Sequence, residues 1–282
     1  MLMRVIAAIT SSQVPAGVRI ILLMAFVCMM TTGCVYTAPF TDADGRLIPH
    51  SIATMERLAL GGLTQSVWFR GVSDSNPALI LLHGGPGASE VALYVGGAQI
   101  ANMPLGRRLA YDFTFSEALK RGNSEARKAL QHIGPPPYAS VDELLAVEEW
   151  TQRFGGVNHA RISTGTLIWA ALGTDEANLI DLIKFGQGNR FSLSHLEGEL
   201  SRLDLTERYR SFAVPIVFLL GRYDRHIPSE LAEQYFNMIE APCKLLLWFD
   251  QSGHNPPFEE PERFNAIMIK DVLPLATDGC AQ

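Results

Sequence analysis

Ala78-Leu79-Ile80-Leu81-Leu82-His83-Gly84-Gly85-Pro86-Gly87 is the stretch from which the rest of this 282-residue chain is read. Its apolar half predicts a short buried strand. The His-Gly-Gly-Pro-Gly that ends it predicts a loop of bare backbone, whose N–H groups are open to an approaching oxyanion. Gly84 and Gly85 are the candidate oxyanion-hole donors. The partners such a loop serves are present only in part. Asp224 and His254 stand near the C-terminus, yet no Gly-x-Ser-x-Gly occurs anywhere in the sequence.

Working outward from that loop, residues 51–60 and 65–70 predict two strands separated by the turn signal Gly61-Gly62. From Met103 to Arg210 the pattern becomes helical, broken at Gly122-Asn123, Gly134-Pro135-Pro136-Pro137, Gly155-Gly156 and Gly186-Gln187-Gly188. The last third alternates again: a strand over 215–220, a helix over 229–239, a strand over 244–249 and a helix over 261–272 that opens on Pro261. Strands and helices alternating around a helical insertion predict an α/β fold with an open, mainly parallel sheet covered by helices.

In such sheets the reactive groups sit on loops past the carboxyl ends of strands. Gly221-Arg222-Tyr223-Asp224-Arg225-His226 and Asp250-Gln251-Ser252-Gly253-His254-Asn255 are two of these loops, and the glycine loop is the third. Asp224 is expected to orient the imidazole of His254, and His254 to move the proton of a nucleophile. His226 reads as a solvated loop residue. Glu148, Glu149 and Trp150 are candidates to meet a substrate amine, but acidic residues on a helix usually form only its wet face, and no binding role is assigned to the three.

Residues 83–87, Val214-Pro215-Ile216-Val217-Phe218 leading to Asp224, and Ser252-Gly253-His254-Asn255-Pro256-Pro257-Phe258-Glu259-Glu260-Pro261 together resemble the proline iminopeptidase-like branch of the α/β-hydrolase family. The resemblance runs from residue 40 to residue 276. It implies a serine hydrolase acting on N-terminal peptide bonds, amides or esters, with a small peptide, amide or ester as its partner. It also implies a helical cap over the site and neither metal nor organic cofactor.

The departure from that family is as informative. Between oxyanion loop and cap the family places strand, helix, strand, nucleophile elbow and helix, two units of about 30 residues each. Here Gly87 is followed almost at once by Tyr94-Val95-Gly96-Gly97-Ala98-Gln99-Ile100-Ala101-Asn102-Met103, similar to the family's strand after the nucleophile helix. The join falls between Glu90 and Gly96, and the nucleophile segment is read as absent. Ser89 is the best placed substitute, but it lacks the strained strand-to-helix turn that exposes a nucleophile. Ser163 lies in the helical region. The expected fold is thus α/β, with an α/β-hydrolase-type sheet that is incomplete, its central strands missing, and a helical cap subdomain. Residues 40–99 and 213–282 form the two parts of the core, and residues 100–212 the cap.

The leader reads differently. Arg4 and Arg19 precede an apolar run over 20–30 that falls short of the roughly 20 residues a bilayer needs but suits a secretory signal. Thr31-Thr32-Gly33-Cys34 resembles a bacterial lipoprotein processing site, with Thr31 where leucine is usual. The expectation is a signal peptide over 1–33, lipidation of Cys34, and a cell-envelope protein held at the membrane by that anchor. Cys243 and Cys280 then remain, either paired in an oxidising compartment or separate, with Cys243 buried beside a strand and Cys280 in the tail. A composition of 48% hydrophobic and 18% charged residues predicts a folded core, and a net charge of −6 without a basic cluster argues against nucleic acid as a partner.

Overall fold

The computed structural model describes residue 15 and residues 37–60, 63–75, 101–159, 179–277 and 279–280. The chain divides into two units, Met1–Asn76 with Ile168–Lys184, and Pro77–Leu167 with Phe185–Gln282. The predicted strand over 78–82, Gly84, Gly85, Ser89, Ser163, Cys34 and, apart from residue 15, the leader lie outside the described residues.

In the first unit, β1 (Ile52–Leu60) and β2 (Leu63–Gly71) pair antiparallel, in register from Ile52↔Gly71 to Leu60↔Leu63. This is the hairpin predicted around Gly61-Gly62.

The described part of the second unit includes three helices near its start, each begun by a side chain that accepts an otherwise unsatisfied backbone N–H. Asn102 caps α1 (Met103–Lys120), Asn123 caps α2 (Ser124–Ile133) and Ser140 caps α3 (Val141–Arg153). Tyr111, Ala118, Ala126, Leu130, Val147 and Phe154 form their shared core. Two buried hydroxyls, Thr114 and Thr151, join α1 to α3 by a 2.6 Å hydrogen bond, and each also has a carbonyl one turn back to satisfy it.

The break predicted at Gly186-Gln187-Gly188 is not there. α4 (Leu179–Leu200) runs through it without interruption. A glycine costs a helix only about 1 kcal/mol relative to alanine. Tertiary contacts farther along outweigh that: Leu193 is buried, Arg190 pairs with Asp142 of α3, and Arg107 of α1 grips Glu197 with both guanidinium nitrogens.

After the short α5 (Leu205–Arg208), the chain forms a strand–helix–strand unit from β3 (Ile216–Gly221), α6 (Ser229–Met238) and β4 (Lys244–Phe249). The strands pair parallel from Ile216↔Lys244 to Gly221↔Phe249. This is the only parallel sheet among the described residues, a partial α/β arrangement. Tyr235 and Ile239 pack with Ala101, Ile216 and Phe218 beneath it. The helix predicted over 261–272 follows the single turn α7 (Pro256–Glu259). It appears as α8 (Pro261–Ile267), a π-helical segment Met268–Val272 and a further turn, α9 (Leu273–Thr277). Cys243 and Cys280 are joined as a disulfide.

Among the described residues, no helix is long and apolar enough to cross a membrane.

Candidate active site

Parallel pairing of β3 and β4 ends both strands at the same level, so the loops that follow them emerge side by side. Asp224, on the loop after β3, and His254, on the loop after β4, meet there: His254 Nδ1 lies 2.8 Å from Asp224 Oδ2. A carboxylate can only accept, so in the neutral imidazole Nδ1 carries the proton and Nε2 presents a lone pair. Among the described residues nothing hydrogen-bonds Nε2.

Asp224 is held as firmly as it holds. Its other oxygen accepts the backbone N–H groups of His226 and Ile227 at 3.0 and 2.8 Å, a local turn that aims Oδ2 at the imidazole. Both side chains are nearly shut from solvent, 6% exposed for Asp224 and 11% for His254. Burial is the largest single influence on His254 and opposes its charge. The Asp224 carboxylate, through its charge and its hydrogen bond, outweighs burial with help from Glu259 and Glu148, so the imidazole titrates above its ordinary range.

His226 is not the solvated residue that its loop position suggests. Its ring stands edge-on to that of His254, perpendicular, with centroids 5.2 Å apart. Burial, followed by lesser contributions that include the neighbouring imidazole, pushes its titration down, opposite to His254. Two histidines in contact are thus biased toward different protonation states.

The segment after α3 ties the two loops together. The Gly156 carbonyl accepts from Arg225 N and His226 N at 2.8 and 3.0 Å, and the Val157 carbonyl accepts from His254 N at 2.6 Å. A side chain on Gly156 would strike Phe113 at 2.7 Å and Thr151 at 2.8 Å, so only glycine lets the carbonyl reach the Asp224 loop. Asn255 Nδ2 donates to Asn158 Oδ1 at 2.6 Å. Glu259 accepts from Gly253 N at 2.8 Å, Asn255 N at 3.2 Å and His159 N at 2.6 Å. Glu260 accepts from Gln251 N and Ser252 Oγ, at 2.9 and 2.7 Å. None of these positioning contacts is legible in spacing. The Gly155-Gly156 pair, read as a helix stop, is the one local signal for them.

Glu149 does sit on the wet face of α3, paired with Arg153. Glu148, its neighbour on α3, acts electrostatically on both histidines. A cavity of about 430 Å³ borders the pair, walled by β3 and α6 and reaching Asp224, Gly253 and His254. Among the described residues no three His, Cys, Asp or Glu side chains are arranged to hold a metal ion.

No protein-family model matches the chain. Over 180 residues it is 31% identical to the probable aminopeptidase YbaC of Bacillus subtilis (strain 168), a match covering 61% of this chain and 54% of that protein. The chain therefore spans about half the length of the curated relative it matches. Among solved structures it is similar to an esterase (EaEST) from Exiguobacterium antarcticum, with 17% identity, 57% of this chain and 48% of that one covered, and a TM-score of 0.31. VinJ is similar at 16% identity, 61% and 54% coverage and a TM-score of 0.36. The likeness to a probable aminopeptidase supports a hydrolase-family origin.

Proposed function

We propose that the chain is a serine hydrolase by descent, of the proline iminopeptidase-like branch of the α/β-hydrolases, which retains the acid and base of its centre and turns substrate over at background level. The observation that carries this reading is the Asp224–His254 pair, in a sequence without a Gly-x-Ser-x-Gly. Asp224 orients and charges the imidazole, His254 is the base, and Gly84 and Gly85 are the oxyanion donors. Loss of the nucleophile from such a centre lowers turnover by about 10⁶. The substrate class is a small peptide, amide or ester. Its place is the cell envelope, through export and lipidation at Cys34. The leader sequence supports that location, and so does the Cys243–Cys280 bond, which suits an oxidising compartment.

A second reading, a ligand-binding protein derived from a hydrolase, is favoured by the cavity beside His254. Treatment with a fluorophosphonate probe, followed by peptide mass mapping, tests both. No adduct and background peptidase activity are expected. A labelled Ser89, or any other labelled serine with turnover, would overturn the loss of the nucleophile. Saturable peptide binding without adduct would favour the second reading.

A further inference from the structure

We propose that His254 itself is the nucleophile toward activated acyl donors, the imidazole Nε2 attacking an ester whose acyl group sits in the adjoining cavity. The inference rests on the reading above, that no serine elbow serves this pair.

Four observations converge on it. Nδ1 is bound to Asp224, so the free lone pair is on Nε2. No hydrogen bond engages Nε2 among the described residues. The cavity that His254 borders is large enough for a small acyl group and lined mainly by apolar side chains, among them Val217, Leu219, Leu220, Ile227, Ala232 and Phe264. Among its described wall residues the two hydroxyls turn their protons to backbone carbonyls and away from His254: Ser229 Oγ donates to the Gly221 carbonyl at 2.7 Å, and Tyr235 Oη donates to the Tyr209 carbonyl at 2.5 Å. Of the described side chains on that wall, the imidazole is the one nitrogen base, and no hydrogen bond takes its Nε2 lone pair.

The chemistry balances with water as the sole co-reactant. The Nε2 lone pair forms a bond to the carbonyl carbon, and the carbon–oxygen bond breaks with its electron pair leaving on the aryloxide. The N-acylimidazolium keeps its proton on Nδ1, hydrogen-bonded to Asp224, whose negative charge compensates the cation. Water then attacks the acyl carbon, the carbon–nitrogen bond returns its electrons to Nε2, and one water proton passes to the aryloxide, so that a carboxylic acid and a phenol are the products. An amine is too poor a leaving group to be expelled in the first step, so the substrates are aryl esters or acyl groups of similar activation, not peptides.

The full chain is mixed with p-nitrophenyl acetate and compared with His254→Ala, while a fluorophosphonate arm runs in parallel. Expected are a burst of about one p-nitrophenolate per chain, an acyl group mapped to His254, a solvent isotope effect near unity, and loss of the burst in His254→Ala with partial return on adding free imidazole. Should that variant fail to fold, the acyl map and isotope effect on the natural chain decide alone. Acyl found only on lysines or the N-terminus, or a large isotope effect without a burst, which would mean water activated by a general base, overturns the proposal. A serine carrying acyl or fluorophosphonate overturns the reading beneath it as well, whereas silence in both arms overturns only this proposal.

Discussion

Gly221 and Gly253 touch backbone to backbone: a Cβ on Gly221 would lie 1.7 Å from the Gly253 carbonyl oxygen. This contact joins the end of β3 to the His254 loop, and it sets how closely the Asp224 and His254 loops approach. Neither partner is a flexible side chain, so nothing can swing aside to admit a methyl group.

Gly221→Ala is therefore expected to cost about 3 kcal/mol, the upper end of ordinary overpacking, in urea denaturation. Gly198→Ala is the matched control. Gly198 lies exposed in α4 with nothing near its missing Cβ, and removing a helical glycine there should stabilise by about 0.5–1 kcal/mol.

The raised titration of His254 gives Asp224→Asn a pH signature. Protonated His254 against Asp224 stabilises the fold, a contribution complete below the ordinary histidine value of about 6.5 and lost as pH rises through the raised folded value. The stability gap between natural chain and variant should be widest on the acid side of neutrality and shrink as pH rises. In the variant, NMR titration of His254 should fall, since burial then acts without the carboxylate's charge.

His226 should behave oppositely. Its folded value lies below the unfolded one, so its neutral ring favours the fold above the ordinary histidine value. That benefit is lost as pH falls, because the unfolded chain takes the proton first. His226→Gln should flatten this acid-side loss, read as Tm against pH, and NMR should show the two imidazoles titrating on opposite sides of the ordinary value.

Glu259→Ala removes the acceptor of three backbone N–H groups, those of Gly253, Asn255 and His159. A loss of about 1–3 kcal/mol is expected by denaturation, with faster amide exchange at Gly253 and Asn255.

Reduction of the Cys243–Cys280 bond opens a link between residues 37 apart. Loop-closure entropy makes that bond worth about 3–4 kcal/mol, so Cys243→Ser or added reductant should lower Tm clearly.

Much of this molecule is written locally. The hairpin, the three capped helices, β3, α6 and β4 each follow from periodicity and from capping or turn residues within a few positions. The two loops bearing Asp224 and His254 follow from their place after apolar strands. Gly186-Gln187-Gly188 misleads because a turn preference of about 1 kcal/mol per glycine is weighed against anchors such as Arg107–Glu197, 90 residues apart. His226 misleads because loop position says nothing of which ring lies against it.

Chain order alone dictated which residue types could hold a proton relay and on which loops they would stand, since strand and loop preferences act over neighbouring peptides. It could not dictate their meeting. That rests on Gly156, Val157 and Asn158 bonding to residues as far as 97 positions away, and on Glu259 gathering amides from two segments. Contacts of that reach depend on how the backbone closes on itself, and so the geometry of the pair, the company of His226 and the joining of Cys243 to Cys280 belong to the folded chain.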